Sequence, residues 1–272
     1  MFVTKSHAFL FTIQAHHHLH TTNYLAMGSL HLLETILYDP KEGVFLLDYH
    51  CERMINSAKE LAPFFASRPN VFLRDLIPTR SEISDKLDAA IKNAGKNSRQ
   101  RLRVLLDFDG AISIQASHLP SETKDFKDSS ILVVLDTTPT SKDNVFLRHK
   151  TTEREVYNDA RTRLGLGPIG APSDPDVPFD VILFNEDLEI MEATIANIAV
   201  EVENKETGAL EWITPPASSG LLCGTMRRKL LEGEELRERV ITVDDLRKAA
   251  QEKRRIKCFN SVRKEYPVTL KI

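Results

Sequence analysis

Lys150 is the residue of this sequence whose position most directly suggests chemistry. It stands where an apolar, strand-like run at 145–147 is expected to give way to a helix that begins near Thr152. Partial burial at such a corner disfavours the ammonium form of a lysine, and the neutral amine condenses with aldehydes. Lys150 is therefore a candidate Schiff-base residue, although a lysine in a loop is far more often a solvated surface charge.

A second candidate feature is the segment 214–227, which turns on two prolines and enters an expected helix immediately after Gly224. A glycine at this position leaves the first backbone N–H groups of the helix uncovered. These donors and the helix dipole suit a phosphate dianion. Small residues also start helices for steric reasons, so the feature alone leaves both interpretations open.

Glu192 and Asn197 are polar residues within an otherwise strand-forming run. A carboxylate fixed beside a pyridine nitrogen keeps that nitrogen protonated, which makes the ring an acceptor for carbanion electrons. Glu192 is a candidate for this role. The alternative is a glutamate at the rim of an exposed strand face.

Two further places carry side chains that suit anionic groups. Ser261 follows an expected buried strand and offers a hydroxyl for a phosphate, and Arg263 offers a cation for a carboxylate. His50 and Arg53 lie one helical turn apart, so that Arg53 is able to face inward as a phosphate ligand. Taken singly, each of these residues is equally compatible with a solvated surface position.

The composition indicates an ordinary globular protein. Of its 272 residues, 42% are hydrophobic and 28% charged, and 36 basic and 39 acidic residues give a net charge of −3. The two signs are mixed along the chain, which argues against nucleic acid or an anionic membrane as a partner. The longest apolar runs are too short and too polar to span a bilayer. The expected partner is a small-molecule substrate.

The three cysteines, Cys51, Cys223 and Cys258, are odd in number and far apart, which predicts neither a disulfide framework nor a metal site. A reducing, cytoplasmic compartment fits this pattern. Residues 1–26 are rich in histidine and are expected to form a disordered leader. Metal binding there is the weaker alternative, because a flexible tail lacks the surrounding groups that orient ligands. Met27 is also a possible start.

The pattern of apolar residues predicts a chain with α+β organisation. A small α+β domain is expected over 27–136, a polar, proline-bearing linker over 137–144, and a larger domain over 145–272. The expected strands are 30–38, 44–47, 101–106, 111–114, 131–135, 180–184, 190–192, 198–203, 210–213, 240–243, 256–259 and 268–272. The expected helices are one capped by Asp48, then 81–94, 152–164, 225–232 and 244–252.

Four motifs occur together in a recognisable order: Leu-Leu-Glu-Thr-Ile at 32–36, Phe-Leu-Leu-Asp-Tyr-His-Cys-Glu-Arg at 45–53, His-Lys-Thr-Thr at 149–152 and Asn-Ser-Val-Arg at 260–263. With the segments above, they resemble the class IV aminotransferase family of pyridoxal-phosphate enzymes. This family includes branched-chain aminotransferase, D-amino acid aminotransferase and aminodeoxychorismate lyase. The resemblance runs from about residue 30 to the C-terminus and is nearest to the lyase branch.

The resemblance implies a two-domain fold of type IV, similar to D-amino acid aminotransferase, with pyridoxal 5'-phosphate in the interdomain cleft of a homodimer. It implies that Lys150 forms the Schiff base and that Glu192 partners the pyridine nitrogen. Tyr157 or Arg154 is expected at the ring hydroxyl. The other residues expected around the cofactor are Arg53, Asn197, Leu222, Gly224, Thr225, Met226 and Ser261, and those expected at the substrate are Arg263 and Thr35.

The implied activity is conversion of 4-amino-4-deoxychorismate to 4-aminobenzoate and pyruvate, a step towards folate. The alternative is an aminotransferase that acts on a branched-chain amino acid, a D-amino acid or an amine. A non-catalytic binding protein of the same fold is a minor alternative, disfavoured by the presence of Lys150 and Glu192. Three departures from the family pattern concern substrate and cofactor contacts: Leu37 replaces a common arginine, Cys223 a proline, and Lys264 a glycine.

Overall fold

In the computed structural model of the chain, the described residues are 30–65, 77–120, 131–169 and 176–271. The leader expected over 1–26 lies outside them. The described chain forms two sheets of four and eight strands, each packed against helices. This mixed architecture confirms the expected α+β organisation. None of the described helices has the length and apolar character needed to cross a membrane.

The first sheet has the strand order β2-β1-β3-β4 and is antiparallel throughout. Because side chains alternate between the two faces of a strand, Leu32 and Ile36 of β1 lie on the same face and pack in a core shared with α1 and α2. The side chain of Thr79 accepts from the N–H of Glu82 and so caps α2. The elements of this unit are β1 (Leu32–Asp39), β2 (Gly43–Val44), α1 (Leu47–Phe65), α2 (Arg80–Ala94), β3 (Gln100–Leu106) and β4 (Ile112–His118).

The second sheet has the order β10-β9-β8-β11-β12-β5-β6-β7. Its strands β5, β6 and β12 pair in parallel, whereas β8, β9, β11 and β12 form an antiparallel run. The strands are β5 (Ile131–Leu135), β6 (Asp180–Phe184), β7 (Ile190–Ala193), β8 (Asn197–Glu203), β9 (Leu210–Thr214), β10 (Arg237–Glu238), β11 (Ile256–Asn260) and β12 (Lys264–Lys271). The helices are α3 (Val145–Arg148), α4 (Glu155–Arg163), α5 (Thr225–Glu232) and α6 (Val243–Gln251).

Two expected strands are wrong because side-chain caps start helices at those places. The strand expected at 145–147 is the short helix α3, where Asn144 Oδ1 accepts from the N–H of Phe146 at 3.0 Å. No strand forms at 240–243. Thr242 and Asp245 form a capping box there, which makes Val243 the first residue of α6.

Other boundaries also differ from expectation. The helix α1 begins at Leu47, so Asp48 lies in its first turn instead of capping it. The helix expected from Thr152 begins only at Glu155, because the N–H of Thr152 donates to the carbonyl of His31. Strand β5, expected in the first unit, pairs with β12 and β6 of the second sheet. Its unbroken apolar run suits an interior strand of the larger sheet.

Candidate active site

Lys150 lies on a segment that joins the two units. Its carbonyl accepts from the N–H of Leu33 at 2.8 Å. Two residues further on, the N–H of Thr152 donates to the carbonyl of His31 at 2.9 Å, and the N–H of His31 donates to Thr152 Oγ1 at 2.9 Å. The segment therefore runs antiparallel to the start of β1, and this pairing fixes the backbone that carries the lysine.

The ammonium group of Lys150 is destabilised by its surroundings. Burial, and then the positive charges of Arg53 and Arg154, lower its pKa to about 8, against the opposing effect of Glu34 and Glu192. Within the described residues, the amine makes no hydrogen bond or ion pair. A half-buried lysine in this condition supplies the neutral, nucleophilic amine that attacks a carbonyl carbon.

Glu192 is a buried carboxyl group on β7, only 4% exposed. Its Oε1 accepts from the hydroxyl of Tyr157 at 2.7 Å and from the N–H of Leu222 at 3.1 Å, and its Oε2 accepts from Asn197 Nδ2 at 3.1 Å. Burial raises its pKa to about 7, although these donors and the charges of Lys150 and Arg154 favour the carboxylate. A carboxylate has about four acceptor positions, so one is left for a further donor.

The N-terminus of α5 is the expected anion site. Gly224 occupies the position before the helix, and no side chain caps the first turn. A Cβ atom on Gly224 would lie 2.1 Å from Asn197 Oδ1, so only glycine fits there. Asn197 cannot withdraw, because its Nδ2 also donates to the carbonyl of Leu222 at 2.8 Å. This packing leaves the N–H groups of Thr225 and Met226 without a protein side chain to cap them.

Arg53 approaches the same helix terminus from α1. Its Nη1 donates to the carbonyl of Cys223 at 3.3 Å. Its Nε donates to Glu34 Oε1 at 2.8 Å and its Nη2 to Glu34 Oε2 at 2.5 Å. Glu34 Oε2 also contacts His50 Nδ1 at 2.7 Å, and His50 Nε2 lies 3.5 Å from Thr225 Oγ1. A charged network thus connects the first sheet with the start of α5.

Several predicted residues therefore lie in one connected group: Lys150, Arg53, Glu192, Asn197, Leu222, Gly224, Thr225, Met226 and Tyr157. Arg154 joins them through its guanidinium, which lies 4.5 Å from the centre of the Tyr157 ring and donates to the carbonyl of Thr194 at 2.5 Å. The hydroxyl of Tyr157 is bonded to Glu192. Their roles towards a ligand stay predictions.

Ser261, Thr35 and Arg263 make different contacts. The hydroxyl of Ser261 donates to the carbonyl of Thr35 at 2.9 Å and so links the second unit to β1. The guanidinium of Arg263 lies 5.0 Å from the centre of the Phe179 ring. No contact described in the structure joins Arg263 to the group around Lys150, so its role in substrate binding stays a prediction.

Two of the departures from the family pattern have structural correlates. Leu37 is completely buried, so an apolar side chain occupies the position where many relatives carry arginine. Lys264 has a φ of 56°, in the left-handed region that favours glycine. Its ammonium pairs with Glu42 at 3.0 Å and lies 5.0 Å from the centre of the Phe45 ring. These contacts tie the β11–β12 turn to the β1–β2 hairpin.

Sequence reasoning missed Glu34 as the partner of Arg53, and it missed the contact of His149 with Ser57. The Nδ1 atom of His149 lies 3.0 Å from Ser57 Oγ, which ties the residue before Lys150 to α1. A signal for Glu34 exists in β1, where it shares strand parity with the core residues Leu32 and Ile36. A carboxylate on an apolar strand face requires a buried partner.

The site combines a nucleophilic amine, a carboxyl group with a spare acceptor position and an uncapped helix N-terminus, groups that suit a carbonyl carbon, an N–H donor and an anion respectively. The family model for amino-transferase class IV matches residues 31–270. This match spans nearly the whole chain, which therefore belongs to the class IV aminotransferase family. The family resemblance inferred from the sequence is confirmed, and with it the enzymatic nature of the protein.

Two curated proteins show what the chain is similar to. It is 31% identical to the "Putative aminodeoxychorismate lyase" of Schizosaccharomyces pombe, and the match covers 88% of each chain. It is 28% identical to the "Aminodeoxychorismate lyase" of Saccharomyces cerevisiae, over 73% of this chain and 61% of the yeast protein.

Solved structures confirm the fold. The structure of a "Putative amino-acid aminotransferase" from Mesorhizobium loti superposes with a TM-score of 0.70 at 26% identity, covering 89% of this chain and 100% of that one. That of a "Putative 4-amino-4-deoxychorismate lyase" from Legionella pneumophila has a TM-score of 0.65 at 16% identity, covering 88% and 82%. The expected two-unit α+β fold of type IV is therefore correct.

Proposed function

We propose that the protein is a pyridoxal-phosphate-dependent lyase that converts 4-amino-4-deoxychorismate to 4-aminobenzoate and pyruvate. The observation that carries the proposal is the convergence of the Lys150 amine, the buried Glu192 carboxyl and the uncapped N-terminus of α5 on one site. The lyase names of both curated relatives support this activity within the family.

The described residues fit pyridoxal phosphate at its aldehyde, its ring nitrogen and its phosphate. Among the residues that the structure describes, none forms a hydrogen bond or ion pair with the amine of Lys150, and its pKa is lowered, as a group that bonds to the aldehyde requires. Glu192 retains one acceptor position for a pyridinium N–H. The N–H groups of Thr225 and Met226, with Arg53 beside them, suit the phosphate. Ser261 is the further phosphate ligand that the family resemblance implies, and to donate to a phosphate its hydroxyl would have to leave the carbonyl of Thr35.

When bound, pyridoxal phosphate supplies an electrophilic carbonyl and an electron-withdrawing ring. The chain contributes the proton transfers and the charges around them. With its pKa lowered to about 8, Lys150 is neutral far more often near neutral pH than an ordinary lysine. Its free amine acts as the general base that takes the proton from C4 of the substrate. Burial raises the pKa of Glu192 to about 7, and a protonated ring nitrogen at its free acceptor position would favour the carboxylate form.

Loss of the C4 proton is followed by cleavage of the C–O bond to the enolpyruvyl group. The departing enolate takes up a proton and becomes pyruvate, and the ring that remains is the aromatic 4-aminobenzoate. Aromatisation drives this step. Arg263 and Thr35 are the proposed substrate-binding residues, with Arg263 directed at a carboxylate. By the same family resemblance we propose a homodimer, which sedimentation of the purified protein tests. The odd number and wide spacing of the three cysteines support a cytoplasmic location.

A class IV aminotransferase is the second candidate, and the similarity to the Mesorhizobium loti protein favours it. Here the same lysine would move the substrate proton to the cofactor carbon, and a keto acid would accept the amino group. One experiment separates the two activities. The holoenzyme is incubated with 4-amino-4-deoxychorismate, and separately with an amino acid and a keto acid, with Lys150→Ala as the inactive control.

The lyase predicts release of pyruvate and 4-aminobenzoate in equal amounts, faster than any amino-group transfer. Robust transfer to a keto acid without detectable 4-aminobenzoate would replace the lyase with the aminotransferase. Absence of both activities and of any cofactor absorbance would favour a binding protein of the same fold.

A further inference from the structure

Glu34 is a buried charge to which the expected chemistry assigns no role. It lies on β1 and is 2% exposed, yet the proposed reaction involves neither a proton nor a ligand at its position. Its two oxygens hold the Nε and Nη2 groups of Arg53, at 2.8 and 2.5 Å, and Oε2 also holds His50 Nδ1 at 2.7 Å. Arg53 and His50 are the two side chains of α1 that reach the N-terminus of α5.

The contact with Glu34 fixes the orientation of the Arg53 guanidinium group. A guanidinium group has five N–H donors in one plane. Glu34 takes two of them, and the carbonyl of Cys223 takes a third at 3.3 Å. Two donors remain, one on Nη1 and one on Nη2. Because the group is planar, fixing its Nε edge on a buried carboxylate also fixes the direction of the two that remain.

The contact with His50 has a similar effect on the imidazole. A carboxylate is only an acceptor, so Glu34 requires the proton of His50 on Nδ1 and leaves Nε2 to face Thr225. His50 Nε2 lies 3.5 Å from Thr225 Oγ1, on the first residue of α5. One carboxylate therefore orients two side chains that converge on the same helix terminus.

We infer that Glu34 is a positioning residue for the anion site at the N-terminus of α5, where it orients Arg53 towards the phosphate group of the cofactor and holds His50 against the hydroxyl of Thr225. The inference rests on the proposed function, because the anion is taken to be that of pyridoxal phosphate. Glu34 also has an opposite effect, since its negative charge repels a dianion through space. The inference requires the orienting effect to outweigh the repulsion, and the two effects predict changes of opposite sign when the carboxylate is removed.

The test compares the affinity of the apoprotein for pyridoxal 5'-phosphate and for pyridoxal, which lacks the phosphate. For Glu34→Gln, the affinity for pyridoxal 5'-phosphate should fall about ten- to a hundredfold, the loss expected when one charge-assisted hydrogen bond is misdirected. The affinity for pyridoxal should change by less than about twofold on the same argument. Glu232→Gln, which removes an exposed carboxylate from α5, is the matched control and should leave both affinities unchanged.

A second variant guards against loss of folding in Glu34→Gln. Glu34→Asp keeps the charge but withdraws the carboxylate from Arg53, so the inference predicts a lower affinity for pyridoxal 5'-phosphate here too. In a protein that already carries Arg53→Gln, either substitution of Glu34 should lower the affinity for pyridoxal 5'-phosphate much less than it does in the wild type. An unchanged or higher affinity in folded Glu34→Gln, or full affinity in Glu34→Asp, would overturn the inference. A wild-type protein that binds no pyridoxal 5'-phosphate would instead overturn the proposed function.

Discussion

Replacing Glu192 with glutamine removes the one negative charge that the structure holds ready for a pyridine nitrogen. The amide has nearly the same size, but it must sit in one orientation. Oε1 of the native carboxyl accepts from the backbone N–H of Leu222 at 3.1 Å, and a backbone donor cannot be reversed. The amide oxygen of the variant therefore takes the place of Oε1. Its NH2 group takes the place of Oε2, where it no longer accepts from Asn197 Nδ2, so the variant also loses that hydrogen bond.

This orientation predicts retention of the cofactor with loss of activity. An NH2 group at the Oε2 position donates a hydrogen bond to an unprotonated ring nitrogen, whereas the native carboxylate accepts one from a protonated nitrogen. The variant thus stabilises the form of the ring that withdraws electrons less strongly. The lost charge-assisted hydrogen bond is worth about 1.5 to 3 kcal/mol. If this free energy is lost in the transition state and not in the bound ground state, kcat falls about ten- to a hundredfold.

The assay is steady-state release of pyruvate by Glu192→Gln, with the cofactor content measured on the same sample by absorbance. Glu203→Gln is the control, because Glu203 is an exposed glutamate on β8, the next strand along the chain. We expect normal cofactor content and reduced kcat for Glu192→Gln alone. Turnover close to wild type in the loaded variant would refute the argument and make Glu192 a structural residue.

Three further predictions follow from the site. Gly224→Ala should lower the stability by about 1 to 3 kcal/mol, measured by thermal unfolding, because the new Cβ would lie 2.1 Å from Asn197 Oδ1. Gly233→Ala is its control, since the nearest atoms there are 3.3 Å away. The rate at which the apoprotein bonds covalently to pyridoxal phosphate should rise about tenfold per pH unit and level off above about pH 8, because only the neutral amine of Lys150 reacts. Arg263→Ala should raise KM for the lyase substrate about ten- to a hundredfold, measured by initial rates, through loss of a charged contact.

Each of these predictions has a result that would contradict it. A Gly224→Ala protein as stable as Gly233→Ala would show that the Asn197 side chain moves aside at little cost. If the rate of covalent attachment of pyridoxal phosphate continues to rise up to pH 10, the pKa of Lys150 is that of an ordinary lysine. An unchanged KM for Arg263→Ala would restrict that side chain to its contact with Phe179.

The residues with a local chemical signature could be predicted from the sequence. Gly224 stands directly before a helix, and the structure places it at that position, with a side-chain oxygen of Asn197 that excludes any larger residue. Glu192 interrupts an apolar run, and it is buried with three donors around it. In both cases neighbours in the chain create the signal, but each segment alone left a surface or steric interpretation open, and the combination of motifs was needed to choose between them.

Contacts between distant segments could not be predicted in the same way. Glu34 and Arg53 lie 19 residues apart, and a strand followed by a helix does not indicate which side chains meet. Strand β5 has the apolar sequence of a buried strand, but such a run does not specify its sheet. The short helix α3 was mistaken for a strand because its start depends on a single hydrogen bond from the Asn144 side chain.

The central claim is that the amine of Lys150 bonds to pyridoxal phosphate. Borohydride reduction of the cofactor-loaded protein makes this bond permanent, and mass spectrometry of the digested protein locates it. We expect a single pyridoxyl group on the peptide that contains Lys150, and none in the Lys150→Ala variant. A pyridoxyl group on a different lysine, or none on the loaded wild-type protein, would contradict the claim.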